Sequence, residues 1–436
     1  MFHLSWFVGM GFGVYGWNQR WSGNSARDVA NPKLFIDIAT SLERAGFDYM
    51  MLEDSLVIPD VYQGTMEHAL KNGTMRLDPM PLVPMLAAHT TKLGIVATAA
   101  TTFYPPYLAA RLMQTLDHVT DGRVGINLVT ASPHAAAQNF GYKKHFEHDQ
   151  RYRMADEWIR CVKALWDTWE EGAVVMDEET GVFADHTKVH PADFEGEFYS
   201  SRGPLNTMPG PQRHPVICQA GGSPAGREFG AVHADTIIAS LAENPGADNM
   251  KEYLVDLRQR MVAHGRSPKD AKVLFLIHPI LADTMEEAEE KQRAMAEAAA
   301  RNTEGLLAGM SYYSGLDFSQ FDLDEPLPDL TGKHNGHQSL VDDFVKRAEG
   351  KTLREALQER SQTVGSLELV GTPDSVASEM GEHMAEIDGD GYLIRIPPTR
   401  AALTQVCDGL APVLRRRGLI RSEYSHDTFK ENLLAF

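Results

Sequence analysis

Residues 93–132 read LGIVATAATTFYPPYLAARLMQTLDHVTDGRVGINLVTAS and contain one complete strand–helix–strand unit. Leu93 to Thr98 is a nearly unbroken apolar run. Pro105 and Pro106 then open a segment with helical spacing from about Tyr107 to Val119, and Asp121-Gly122 closes it ahead of a second apolar run, Val124 to Val129. A strand buried on both faces reads as a continuous apolar run, and a helix between two such runs supplies the crossover that parallel pairing needs.

The same rhythm extends in both directions. Leu4 to Val8, Phe47 to Leu52, Pro215 to Ala220, Thr236 to Ala239, Val273 to Ile280 and Gly391 to Ile396 are the other apolar runs. Helical spacing marks Leu34 to Ala45, about Arg151 to Trp169, Ser223 to Ala234, about Asp248 to His264, about Met285 to Arg301 and Ala401 to Arg417. Strand starts at Leu4, Phe47, Leu93, Val124, Pro215, Thr236, Val273 and Gly391 make eight, each followed by a helix or a long excursion. This predicts an α/β fold, a TIM-type (β/α)8 barrel with long insertions. An open doubly wound sheet, the alternative, leaves several of these strands without neighbours. One barrel domain over residues 1–436 is expected, with insertions at about 170–212 and 302–350 where the periodicity fades. Both insertions are expected to act as lids, with little core of their own.

The charge is 41 − 60 = −19, which repels phosphate backbones and anionic lipid, so nucleic acid and membranes are not expected partners. Cys161, Cys218 and Cys407 include no CxxC pair and fit a reduced compartment. The start of the chain has no basic region ahead of an apolar one, and no eighteen apolar residues run together. A cytoplasmic location is the expectation.

At the C-terminal ends of barrel strands, polar residues are candidates for ligand contact. Asp54 ends the second strand, where a helix N-cap is the competing reading. Thr98, Thr101 and Thr102 end the third strand, and Thr130, Ala131 and Ser132 the fourth. Small and hydroxyl residues at successive strand ends suit close approach of a flat ligand better than a metal. His145, His148 and Asp149 are the nearest approach to a metal cluster, with no second ligand set on another strand end, so no metal is expected. His148 and Tyr152, four apart, share a face where a helix begins.

Gly11, Gly13 and Gly16 match G-x-G-x-x-G, but the chain continues into Trp17-Asn18-Gln19-Arg20-Trp21 with no helical stripe, so a dinucleotide loop is rejected in favour of an aromatic loop. Gly221-Gly222-Ser223 follows the fifth strand, with Ser223 as N-cap and Pro224 at the first helical position. Such a helix start is an anion site, and a simple capped turn fits the loop equally well. Cys218, inside an apolar strand, reads as core.

The blocks ATTFYPPYLAARLMQTLDHVTDGRVGINLVTAS (Ala100–Ser132), NFGYKKHFEHDQRYRMADEW (Asn139–Trp158), PVICQAGGSPAGREFGAVHAD (Pro215–Asp235) and VGTPDSVASEM (Val370–Met380) resemble the bacterial-luciferase-like flavin monooxygenases. The resemblance is strongest to the branch with nitrilotriacetate monooxygenase component A, dibenzothiophene-sulfone monooxygenase, long-chain alkane monooxygenase and the pristinamycin synthase subunit, and spans nearly the whole chain. It implies an oxygenase component that takes FMN, reduced by a separate NAD(P)H:flavin reductase, and oxidises a small organic substrate with O2. An assembly of two or four copies is expected. Carried over by position, Asp54, Thr98 and Ala131 lie on the flavin-ring side, His148 and Tyr152 on the E-H-D-x-R-Y positions, and Gly222 with Ser223 on the phosphate loop. Ala131 stands where relatives often have Ser, so contact there must come through its backbone.

Substrate-side candidates are Phe12, Tyr15, Trp17, Phe103, Tyr104 and Ser132. The first strand is followed by Tyr15-Gly16-Trp17-Asn18-Gln19-Arg20, where relatives often carry a His-Gly-x-Trp-Arg-His pattern. Specificity therefore does not transfer from any one relative. Arg20 is the only cation of that aromatic loop, which favours an organosulfur or other neutral compound over a chelate. A deazaflavin-dependent oxidoreductase and a non-catalytic flavin-binding protein are the alternatives on the same barrel.

Overall fold

The computed structural model describes residues 1–9, 16–19, 21–240, 246–328, 330, 335–362 and 366–436. Eight strands form a closed parallel ring: β1 (His3–Val8), β2 (Tyr49–Leu52), β3 (Gly94–Ala100), β4 (Val124–Val129), β5 (Val216–Gln219), β6 (Thr236–Ala239), β7 (Lys272–Leu281) and β8 (Gly391–Ile394), with β8 pairing back to β1. This is the TIM-type barrel that the apolar runs predict, with every strand start within about two residues of its expected place. A further short strand, Leu367–Gly371, which the sequence reading did not count, runs parallel to the outer half of β7 from Ile277 to Leu281. The ten residues of β7 are long enough to serve β8 with one half and this strand with the other.

The helices that matter here are α1 (His148–Trp166), α2 (Pro224–His233), α3 (Ala247–Ala263) and α4 (Thr303–Ser314). In α1, Met154, Ala155, Trp158, Ile159, Val162, Leu165 and Trp166 recur three and four apart and are buried against the barrel. Inside the ring, Tyr49, Met51, Val96, Val216, Cys218, Ile238, Leu274 and Leu393 fill the space, joined from below by Phe429 and Leu433 of the C-terminal segment. Gly94 and Gly125 make room for that plug, because a Cβ on either would lie 2.6 or 3.1 Å from the Phe429 ring. Cys218 is buried here and burial pushes its thiol up, as expected for a packing residue.

The two insertions behave differently from expectation. Within 170–212, two short antiparallel pairs form, Val174–Asp177 with Val182–Ala184 and Phe194–Glu195 with Ser200–Ser201. The turn of the second pair packs on α1, where the Glu157 carboxylate accepts from the Glu197, Phe198 and Tyr199 amides, and none of the stretch lines the barrel mouth. The second insertion is helical and has its own core of Leu307, Met310, Phe318, Leu330, Phe344, Leu353 and Leu357. Its first helix, α4, escaped the periodicity reading because small residues occupy one whole face. Among the described residues no helix is long and apolar enough to cross a membrane, and no His/Cys/Asp/Glu group is placed to hold a metal ion.

Candidate active site

A cavity of about 1320 Å³ opens at the C-terminal ends of the strands. Ligand sites usually measure about 300–1,000 Å³, so this one has room for a cofactor and a second molecule together. Its floor takes Phe7, Met51, Thr98, Asn127, Gln219, Ile238 and Leu276 from the strands, and α4 contributes Gly305, Ala308, Gly309 and Tyr312 from above.

One side is built for an anion. Ser223 caps α2, its hydroxyl accepting from the Gly226 N–H at 3.2 Å, with Pro224 at the first helical position. The carbonyls of the preceding turn are both taken: Gly222 O accepts from Arg227 Nε at 3.1 Å, and Gly221 O from the Tyr253 hydroxyl at 3.4 Å. Among the described residues no acceptor takes the Gly222, Ser223 or Ala225 N–H. The turn cannot relax from this shape, since a Cβ on Gly221 would lie 2.6 Å from the Gly226 backbone and one on Gly226 2.8 Å from the Tyr152 hydroxyl. That hydroxyl faces Ser223 across the first turn of α2. His148, its Nδ1 2.8 Å from the Asp149 carboxylate, lies with its ring 5.1 Å from that of Tyr152. His148, Tyr152, Gly222 and Ser223 thus line one end of the cavity together.

Two cations that sequence reading passed over stand beside them. Arg151 is 1% exposed, donates to the Phe146 and Asn335 carbonyls, and burial pulls it down to about 10, so it remains charged at neutral pH. Arg227 stacks over the Tyr253 ring at 4.6 Å and pairs with Asp256 at 3.1 Å. Both lie on helix faces that helical spacing assigns to no role.

The other side suits a flat polar ring. Barrel register sets Thr98 beside Asn127, and the Asn127 Nδ2 donates to Thr98 Oγ1 at 3.1 Å. Asn127 Oδ1 and Gln219 Oε1 are buried with no partner, two acceptors that point to a missing donor. A polar residue inside the runs VGINLV and PVICQA was the available sequence signal for both. Ala131 and Ser132 line the cavity, and Ala131 has a left-handed backbone, φ +46°. An isoalloxazine ring with donors and acceptors on its edge and a phosphate at the end of its ribityl chain matches this layout. FMN therefore fits the residues present.

Asp54 lines the cavity at the end of β2 and caps no helix. Its Oδ1 accepts the Ser55 N–H at 2.8 Å. Burial raises it to about 6, with Asp78 and Glu53 pushing the same way against the Ser55 amide and Arg76. A carboxyl whose folded pKa stands above its unfolded one is free of penalty at low pH and costs stability as pH rises through about 6. Asp54→Asn keeps the acceptor for Ser55, and we expect it to melt roughly 1–2 °C above the parent at about pH 7.5, with the gain shrinking at about pH 4.5. Scanning fluorimetry at both pH values checks this, and identical midpoints at the higher pH refute it.

Of the substrate-side residues, Trp17 and Ser132 line the cavity. Phe12, Tyr15 and Arg20 lie outside the described residues. Phe103 and Tyr104 are corrections, since neither reaches the cavity. The Phe103 ring stacks on Phe140 at 4.5 Å, and Tyr104 packs against the main core with its carbonyl held by Trp158 Nε1 at 2.6 Å. Both belong to the turn ahead of the helix after β3, which stacks Phe103 on the neighbouring loop.

Residues 10–390 match the family model described as luciferase-like monooxygenase. The dibenzothiophene-sulfone monooxygenase of Rhodococcus erythropolis (strain XP) is 34% identical, over 99% of this chain and 96% of its own. The N-acetyl-S-(2-succino)cysteine monooxygenase of Bacillus subtilis (strain 168) is 35% identical, over 98% of this chain and 94% of its own. A crystal structure of a riboflavin lyase with modified FMN and riboflavin superposes with a TM-score of 0.87 at 30% identity, covering 100% of this chain and 96% of that one. The chain belongs to the luciferase-like monooxygenase family, and it is a flavin-dependent monooxygenase, an oxygenase component that works with reduced FMN and O2.

Proposed function

We propose that this chain, as one barrel domain over residues 1–436, oxidises a small organosulfur compound, taking its FMN already reduced from a separate NAD(P)H:flavin reductase. The observation that carries the reading is a cavity of about 1320 Å³ with an anion-binding turn at one end and unpaired ring-side acceptors in the middle. It leaves space for a substrate beneath α4. Two relatives that match nearly end to end act, by name, on sulfur compounds. The deazaflavin and flavin-storage alternatives draw no such support from those names.

In this reading the Gly222, Ser223 and Ala225 amides hold the FMN phosphate, with Arg151 and Arg227 supplying positive charge and Tyr152 closing the turn. Thr98, Asn127, Gln219, Asp54 and the Ala131 backbone orient the ring. Reduced FMN, when bound, supplies the activation of O2. The protein keeps water from the reacting atoms: Phe7, Ile238 and Leu276 form an apolar floor, and the Tyr312 hydroxyl, 3.0 Å from Ser55 Oγ, ties α4 to the loop after β2. Asp54 holds a proton below about pH 6 and a negative charge above it.

Trp17 of the aromatic loop, with Tyr62 and Tyr313 from other segments, offers apolar surface to the substrate. Lys71, Arg76 and Arg395 line the cavity from other loops, so charge alone does not bar a sulfur compound that carries a carboxylate. With a flavin reductase and NAD(P)H, we expect thioethers or sulfones to be turned over at least about tenfold faster than a linear alkane or an aminopolycarboxylate, a discrimination worth ~1.4 kcal/mol. Oxygen uptake and product mass give the readout. Selective turnover of a tricarboxylate overturns the substrate class, and turnover with reduced deazaflavin but not reduced FMN overturns the enzyme class.

A further inference from the structure

We propose that His145 is a positioning residue for the flavin-ring side of the cavity, holding the end of β4 in the one backbone shape that leaves its N–H groups for a ligand. The proposal rests on the reading that FMN occupies this cavity.

Ala131 has φ +46°, a left-handed conformation that costs a non-glycine residue on the order of 1 kcal/mol and persists only where its surroundings enforce it. Three successive carbonyls along this turn are occupied. Val129 O accepts from the Thr101 N–H at 2.9 Å, Thr130 O from Thr102 Oγ1 at 3.1 Å, and Ala131 O from His145 Nε2 at 2.8 Å. Among the described residues the Ala131 and Ser132 N–H groups have no acceptor, and both residues line the cavity. A contact to Ala131 must run through its backbone, as there is no hydroxyl. His145 already engages the carbonyl, whereas the N–H has no acceptor among the described residues and is the group left to a ligand.

Among the described residues the Ala131 carbonyl is the only hydrogen-bond partner of the His145 ring. The histidine is 3% exposed, and its Nδ1 is buried without a partner, so the proton sits on Nε2, where the carbonyl needs a donor. Phe103, 5.8 Å away and nearly parallel, and Phe146 at 6.4 Å hold the ring. Burial lowers its pKa, and the nearby Arg151 and His134 add to that against the Ala131 carbonyl and Glu147. Either protonation state keeps the Nε2–H, so the contact is independent of pH near neutrality. His145 and Ala131 are fourteen positions apart and meet only because the loop after β4 folds back over its own start.

The test titrates oxidised FMN, by quenching of its fluorescence, into the parent, His145→Phe, His145→Gln and His145→Phe/Ala131→Gly, with thermal midpoints recorded for each. His145→Phe keeps the aromatic packing and loses the donor, and we expect about tenfold weaker binding. His145→Gln, whose amide nitrogen reaches the Nε2 position, should stay within about threefold. Ala131→Gly in the His145→Phe background should recover most of the loss, because glycine takes φ +46° unaided. A role confined to packing is not rescued by that glycine, and failure of rescue overturns the proposal. Parent-like affinity in His145→Phe also overturns it while leaving the FMN site intact, whereas a parent that binds no FMN overturns the site reading and this proposal with it. Should His145→Phe not fold, Ala131→Val with His145 present decides the matter. A β-branched side chain resists this φ, so weaker binding supports the proposal and unchanged binding overturns it.

Discussion

FMN affinity is expected to fall by at least about 100-fold in a Ser223→Asp variant, while affinity for riboflavin, which lacks the phosphate, stays near that of the parent. Aspartate is as good an N-cap as serine, so α2 should still form and the fold should survive. What changes is charge. The new carboxylate sits among the Gly222, Ser223 and Ala225 amides, competes for them and repels the phosphate. Losing two charge-assisted hydrogen bonds at about 1.5–3 kcal/mol each corresponds to roughly 10²–10⁴ in affinity. Parallel fluorescence titrations with FMN and riboflavin separate the phosphate turn from the ring site. Undiminished FMN affinity removes the turn from the site, and an equal loss for riboflavin shows that the variant disturbs the cavity as a whole.

The second large effect is expected at the opposite end of the barrel, on stability. Asp48 and Arg421 form a buried ion pair that His3 joins, each 3% exposed or less. The Asp48 carboxylate accepts from His3 Nδ1 at 2.8 Å, from the Leu4 N–H at 2.9 Å and from Arg421, whose Nη2 also donates to Asn432 O at 2.9 Å. Arg421 thereby ties the segment that carries the Phe429 plug to the start of β2. Replacing it with methionine preserves most of the packing and leaves a buried carboxylate short of its main partner, a change that costs about 3–5 kcal/mol. With an unfolding entropy of roughly 0.9 kcal/mol/K for a chain of this length, the melting temperature should drop by about 3–5 °C. Specific activity per folded molecule should not change, because the active site lies at the other rim. An unaltered melting temperature refutes the prediction.

The same group sets an acid limit. Burial pushes the Asp48 carboxyl up, but the His3 and Arg421 charges and the hydrogen bonds outweigh it, and the net shift is down. A carboxyl with a depressed folded pKa contributes its full stability above about pH 4 and loses it as pH falls through the folded value. The gap in stability between the parent and Arg421→Met should therefore narrow only in acid, below the ordinary carboxylate range.

The barrel was legible because its strands are buried on both faces. Runs such as GIVATA and VGINLV need no partner to be recognised, and the helices between them show their apolar stripe one turn at a time. The Ser223-Pro224 cap was equally local, since a cap is made by neighbours in sequence. The small-residue face of α4 hid a helix whose apolar side packs on its own insertion core. Phe103 misled because an aromatic residue beyond a strand end looks the same whether it turns toward the mouth or stacks on the next loop.

Sequence alone determined the eight-strand order, the capped turn after β5, and that Asp54, Thr98 and Ala131 stand at or near the C-terminal ends of strands, all consequences of periodicity or of adjacent residues. Tertiary structure alone decided that Asn127 and Gln219 keep unpaired acceptors in the cavity, that Arg151 and Arg227 reach the anion turn, and that His145 holds Ala131. The reason is geometric. A polar side chain within an apolar run becomes a floor, a ligand or a buried orphan only when ring closure brings the C-terminal strand ends together, and that convergence joins residues with no relation along the chain.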